Sequence, residues 1–398
     1  MKAISIIVAI LSVSLITDSK GEEQPMSKVH PPESRAELQE DQDYKVIVLV
    51  QADQEKEFQK TGIPLTYPVL TGDLEGAQLS LIDGWAVGVK GDKIKPLINL
   101  PEVTAVWIIP DQIFEPYANI IKGIRKWIDS NPDGGPINIS LGPPPSLLPM
   151  PYHEDEPINL ATKAAFKKGS LTIFSAGNSG PVDDTLNPWG LAPWVLEVGA
   201  ATNDGSALWD GSSRGRKGDP IYRPGVVAPG VDLLTTHPGN VPKTPDLLEA
   251  EKRVGFDKMV PPEKRKYYTI VTGSSFAAGG VSGAAAQIYY FFQKAEEAGK
   301  KEVRIEFPYK REEHLLDSRR RNRKVGSVDE SAENFTVTYP VRHDPALVRQ
   351  ALIDIARPIP GLGEKDAGSG FIDAAIVGEL FGTYGKWKTE LMSIKVTD

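Results

Sequence analysis

A chain of 398 residues with 40% hydrophobic and 25% charged side chains is long enough for two units, each with its own core, and has the composition of a water-soluble globular protein. A formal net charge of -8 argues against a nucleic-acid-binding role, and the absence of cysteine excludes disulfides and thiolate metal sites.

Met1–Thr17 is one lysine followed by an unbroken apolar run, too short for a comfortable membrane span, and reads as a signal peptide assigned to residues 1–20. It carries no A-x-A cleavage pattern, which leaves a retained N-terminal anchor as the alternative. Export to a secreted or periplasmic location is the expectation, with no other membrane contact. Residues 21–43 are polar and Pro-containing and are expected to be a flexible linker. Lys45–Gln51 is a β-branched run, Ile82–Gly91 alternates apolar and polar residues, and Glu102–Gln112 is again apolar. With a short helix expected over Asp92–Leu100, these define a small α+β unit with an antiparallel sheet over residues 44–113.

From Tyr117 the texture changes. Ala118–Ile128 has helical spacing and ends at a Pro/Gly-rich break; Pro136–Gly142 reads as a buried strand; Ile158–Gly169 is a helix closed by glycine. Strands are expected at Ser170–Asn178 and Val195–Ala201, with two short ones in Gly225–Thr236. Strand–helix–strand units at this spacing imply a parallel, doubly wound sheet, whose functional groups gather at the carboxyl ends of its strands. Two charged stretches, 240–265 and 301–334, interrupt the order as insertions, and the second, with the basic run Arg319–Lys324, is expected to be solvated surface, an anion-binding or cleavage-prone loop being the alternative. A closing helix is expected over Pro345–Ile359, before Gly368–Gly382.

Val271–Gln287 places Ser275 among small residues at the mouth of an Ala/Gly-rich helix. Unpaired N–H groups and a partial positive charge at such a mouth would stabilise an oxyanion, whereas close packing alone would also select small residues. Its neighbours point to chemistry. Gly273–Ala286 resembles the nucleophile signature of subtilases, the subtilisin-like serine peptidases, with Ser275 at the nucleophile. Ser274 stands where threonine is usual, and Gly279–Gly280 where Pro-His is usual. Leu171–Gly180 resembles the segment carrying the oxyanion asparagine, which the resemblance places at Asn178. Ile137–Gly142 resembles the strand that pairs with substrate, which implies substrate contacts at Ser140, Leu141 and Gly142. Pro193–Gly215, Val226–Thr236 and the closing helix follow in family order, so the resemblance covers the peptidase-like unit 117–382. More weakly, Tyr44–Asp111 resembles the inhibitory propeptide that precedes many such domains.

The resemblance implies a serine endopeptidase acting on peptides or proteins, without metal or cofactor. It also requires an Asp in a D-[ST]-G context and a His in a G-T-H context, and neither occurs. A serine needs a base within hydrogen-bond reach and an orienting partner for that base. Of five histidines, His30 and His314 are expected on the surface, and His343 at the start of a helix. His237 follows a strand, and His153 is the best-placed candidate base beside Glu154, Asp155 and Glu156. Three readings remain: an impaired peptidase, a non-catalytic binder of peptides or inhibitor of another subtilase, and a truncated product with neither role.

Overall fold

The computed structural model describes residues 25–31, 34, 38–51, 67–68, 78–236 and 244–381; the expected signal segment and His237 lie outside them. The N-terminal unit is a sheet in the order β1-β6-β2-β5-β3, formed by β1 (Val29–His30), β2 (Asp43–Val50), β3 (Tyr67–Pro68), β5 (Gly84–Lys90) and β6 (Val103–Ile108). Strand β4 (Gln78–Leu79) also pairs with β5. Strands β2, β5 and β6 run antiparallel, with Val46 opposite Val87 and Val48 opposite Val106. Period-two alternation separates the faces. Val46, Val48, Val87, Val89 and Val106 pack under helix α1 (Gly91–Ile98), while Ile47, Leu49, Ala86, Ala105 and Trp107 point the other way.

That second face has no boundary with the rest of the molecule. Only Ile109 and Pro110 separate β6 from helix α2 (Asp111–Ser130). The buried stripe of α2 (Ile113, Phe114, Tyr117, Ile120, Ile121, Ile124) shares one core with Ile47, Trp107, Ile137, Ile158, Phe174 and Trp189. The helix starts seven residues before Ala118, because Pro110 at the cap and Asp111 in the first turn suit a helix N-terminus. The apolar residues after Ile108 therefore belong to the turn and helix instead of the strand. The expected linker also differs: Val29–His30 pairs in parallel with Val106–Trp107, and Val29 is fully buried.

The second sheet is parallel, in the order β10-β9-β8-β7, with β7 at Gly135–Ile139, β8 at Ser170–Ser175, β9 at Leu196–Ala201 and β10 at Val226–Pro229. Helix α2 and helix α3 (Pro157–Lys167) cover one face. A short antiparallel pair, β11 (Leu233–Thr236) and β12 (Tyr268–Val271), brackets helix α4 (Pro245–Val254) and leads into helix α5 (Ser274–Glu297). Helices α5, α6 (Pro345–Ile355) and α7 (Ala374–Leu380) lie on the other face. The architecture is thus a doubly wound α/β layer built onto an antiparallel sheet.

The stretch 301–334 is no solvated insertion. Strands β13 (Glu302–Lys310), β14 (Ser327–Val328) and β15 (Asn334–Pro340) make a three-stranded antiparallel sheet, and Val303, Ile305, Phe307, Phe335, Val337 and Tyr339 join the core around α5 and α6. The basic run is correspondingly internal. Arg320 is 1% exposed and donates to the carbonyls of Ile353, Ala356, Ser369 and His314. Tyr309 donates to Ile355 O and His314 Nε2 meets Asp354 O. The last turn of α6 has carbonyls without helical partners and a partial negative charge, and this segment supplies the donors.

Candidate active site

The carboxyl ends of β7 and β8 and the N-terminus of α5 converge on a pocket of about 210 Å³. Its walls include Ser140, Gly142, Gly177, Asn178, Asn187 and Ser275. Four of the expected site residues, Ser140, Gly142, Asn178 and Ser275, therefore meet in one place. Leu141 is 54% exposed beside it, its carbonyl bound inward.

Ser275 is the second residue of α5 and half-buried, at the positive end of a 24-residue helix. Ser275 O accepts from Ser140 Oγ at 2.9 Å, and Ser140 Oγ in turn accepts from Asn138 Nδ2 at 3.1 Å. Asn138, expected in a core strand, is exposed, because β7 is the outer strand of the sheet. Asn178 is held by its neighbour in the pocket. Its Oδ1 accepts from the backbone N–H of Ser274 at 3.0 Å and from Ser274 Oγ at 2.8 Å. Because a backbone N–H can only donate, this contact fixes the amide orientation and leaves Nδ2 as the free donor end. Gly177, at φ +105°, precedes Asn178; a Cβ there would stand 2.7 Å from Ser213 Oγ. Glycine is therefore the residue that lets the chain turn at this point.

Two positioning residues were not anticipated from the sequence. Ser274 is fully buried and accepts from Gly177 N–H as well as donating to Asn178. Asn187, 3% exposed, donates from Nδ2 to Leu141 O (2.9 Å) and Ser175 O (3.0 Å), tying the two pocket walls together. The Ser-Ser pair of the signature could have suggested Ser274; nothing in the local pattern around Asn187 marks it.

Among the described residues, no histidine, aspartate or glutamate lines this pocket. His153, the candidate base, packs edge-on against Trp107 at 5.7 Å, with Nε2 buried away from any partner. His30 stacks on the same indole at 4.7 Å, in a strand and not on a free surface. His314 is 1% exposed, and burial, with Arg320 nearby, pushes its imidazole down to about 3. The expected surface positions of both are thus corrected. His343 precedes α6 as expected, against Tyr289. Strand β11 runs away from Ser275: Leu233 pairs with Val271, and Thr236, just before His237, with Tyr268. No cluster of metal-ligating side chains occurs among the described residues.

Residues 115–306 match the family model described as the subtilase family. Over that segment, just under half of the chain, the protein is similar to the subtilase family. The serine protease AprX of Bacillus subtilis (strain 168) is 31% identical over 150 residues, which are 35% of this chain and 33% of that protein. The subtilisin-like protease SBT5.6 of Arabidopsis thaliana is 36% identical over 115 residues, 25% of this chain and 14% of its own length. The match thus spans a third or less of these curated relatives. Among solved structures, the prenylagaramide maturation protease PagA aligns over 67% of each chain at 19% identity with a TM-score of 0.41, too loose a likeness to carry an argument. No helix among the described residues is long and apolar enough to cross a membrane.

Proposed function

We propose that this chain is an exported subtilase-like serine-endopeptidase homologue that holds peptides in the pocket beside Ser140–Gly142, with Ser275 at the nucleophile position and Asn178 as oxyanion donor, and that it is catalytically impaired. One observation supports impairment above others: among the described residues, Ser275 Oγ makes no hydrogen bond and no group lining the pocket is able to take its proton. In subtilisin itself, a relative of this chain, loss of the nucleophile or base lowers kcat about a million-fold. The ordered Asn178, the helix N-terminus and the tied walls still suit a peptide carbonyl, so binding is the function that the geometry favours. The N-terminal sheet, fused to α2 through a shared core, is the unit we assign to inhibition or support. The apolar run Met1–Thr17 supports export.

A fluorophosphonate probe tests the reading on the purified chain. Ser275 is expected to stay unlabelled; labelling that disappears in Ser275→Ala would overturn impairment. A second reading, in which another polypeptide delivers the base, is favoured by the outer edge of β7, which no strand among the described residues pairs, and by the exposed Phe276, Gly279, Gly280 and Gly283 on α5. Its signature is Ser275-dependent labelling that appears only when extract of the source cells is added.

A further inference from the structure

Three arginines meet at the amino ends of β9 and β10, the opposite end of the sheet from the pocket. Arg349, on α6, donates from Nε to Val195 O at 2.7 Å. Arg319, in the helical turn Ser318–Arg321, donates to Gly225 O at 2.6 Å and to Pro224 O at 2.7 Å. Arg223, just before those carbonyls, donates to Pro220 O, to Ser318 Oγ and to Glu364. Gly225 N–H donates to Glu197 O, and Val195 lies two residues before Glu197, so all three guanidinium groups border one short stretch of backbone.

Their charges are not balanced. Arg223 has Glu364, and neighbouring Arg320 has Asp317 at 3.6 Å. Among the described residues, Arg319 and Arg349 have no carboxylate within ion-pair distance. The acids in reach of Arg319 are Asp317, Glu364 and the buried Glu197, whose carboxyl burial holds well above its ordinary range. Burial and the like charge of Arg223 push Arg319 down to about 9 and Arg349 to about 10. Both terminal amines of Arg349 and Nη2 of Arg223 make no hydrogen bond among the described residues, which leaves planar donors from two side chains without an acceptor.

We propose that Arg223, Arg319 and Arg349 form a binding site for a tetrahedral oxyanion, phosphate or sulfate, free or as a monoester. Guanidinium forks match such oxygens in pairs, and an anion would relieve two half-buried charges at once. The bound ion would join the turn Ser318–Arg321, the loop before β10 and α6, independently of any ligand at Ser275.

Titration calorimetry of the full chain with inorganic phosphate, at constant ionic strength set by chloride, tests the site. Saturable one-site binding is expected, weakened at least about tenfold in Arg349→Gln, whose amide can still reach Val195 O. Should that variant fail to fold, Arg223→Gln gives the same reading. Phenyl phosphate binding more tightly than phosphate assigns the site to a monoester, and weaker binding to the free ion. No saturable heat in the wild type, or equal affinity in wild type and variants, overturns the proposal.

Discussion

Glu156 and Glu197 are both carboxyls deep inside the protein. Glu156, 5% exposed ahead of α3, accepts from Tyr117 Oη at 2.8 Å. Burial raises it to about 7; the Tyr117 hydrogen bond opposes this and Asp155 adds to it. An acid whose folded value lies above its unfolded 4.5 binds its proton more tightly in the fold, so its contribution is full below about pH 4.5 and lost as pH climbs to about 7. The loss is on the order of 3 kcal/mol. Glu156→Gln keeps an acceptor for Tyr117 and is expected to flatten that decline, checked by urea midpoints from pH 4.5 to 8. Glu197, 2% exposed, makes no well-formed hydrogen bond from either oxygen and is likewise raised by burial. Glu197→Met should raise Tm at pH 8 more than at pH 5, since only at the higher pH must the wild type ionise the carboxyl or bind a proton from a dilute supply. An equal gain at both pH values would contradict a raised carboxyl.

At the scale of elements, α5 combines a fully packed side with an open one. Ala277, Ala278, Val281, Ala284, Ala285 and Ile288 are buried, whereas Cβ atoms added at Gly279, Gly280 or Gly283 would meet nothing within 4 Å. Each Gly→Ala change is expected to stabilise by about 0.5–1 kcal/mol through helix propensity. The triple variant should melt several degrees higher by calorimetry; a lower Tm would mean that this side is covered in solution. The strands around this helix were readable in the sequence, because β8 and β9 are buried on both faces and so appear as apolar runs closed by Gly or Asn, while β7 turns Ile137 and Ile139 inward. That Ser275 and Asn178 come together in one place was readable too, since each stands in a long colinear pattern. The start of α2 was not: Ile109–Gln112 falls within the apolar stretch read as a strand, and only the Pro110–Asp111 junction betrays the helix. Nor was the interior place of Arg319, Arg320 and His314, because composition records charge and says nothing of vacant helix-end carbonyls. Asn187 escaped for a related reason: its partners, Leu141 O and Ser175 O, are backbone atoms brought near only by the fold.

For the whole molecule, the shared core predicts cooperativity between the two sheets. Trp107, 3% exposed between His30 and His153, lies on β6 yet packs with Ile137, Phe174 and Trp189. Trp107→Ala should cost about 3–5 kcal/mol. It should lower one common denaturation midpoint, followed together by far-ultraviolet dichroism and tryptophan fluorescence. Separate transitions in the wild type would show that the N-terminal sheet is an independent unit. The internal basic run has a practical corollary. Arg319–Arg320 is an attractive trypsin site in sequence, yet both side chains must leave their carbonyl partners before a protease can seat either one. Cleavage there thus samples the opened population, so a simple digestion time course reports how often the end of α6 comes undone.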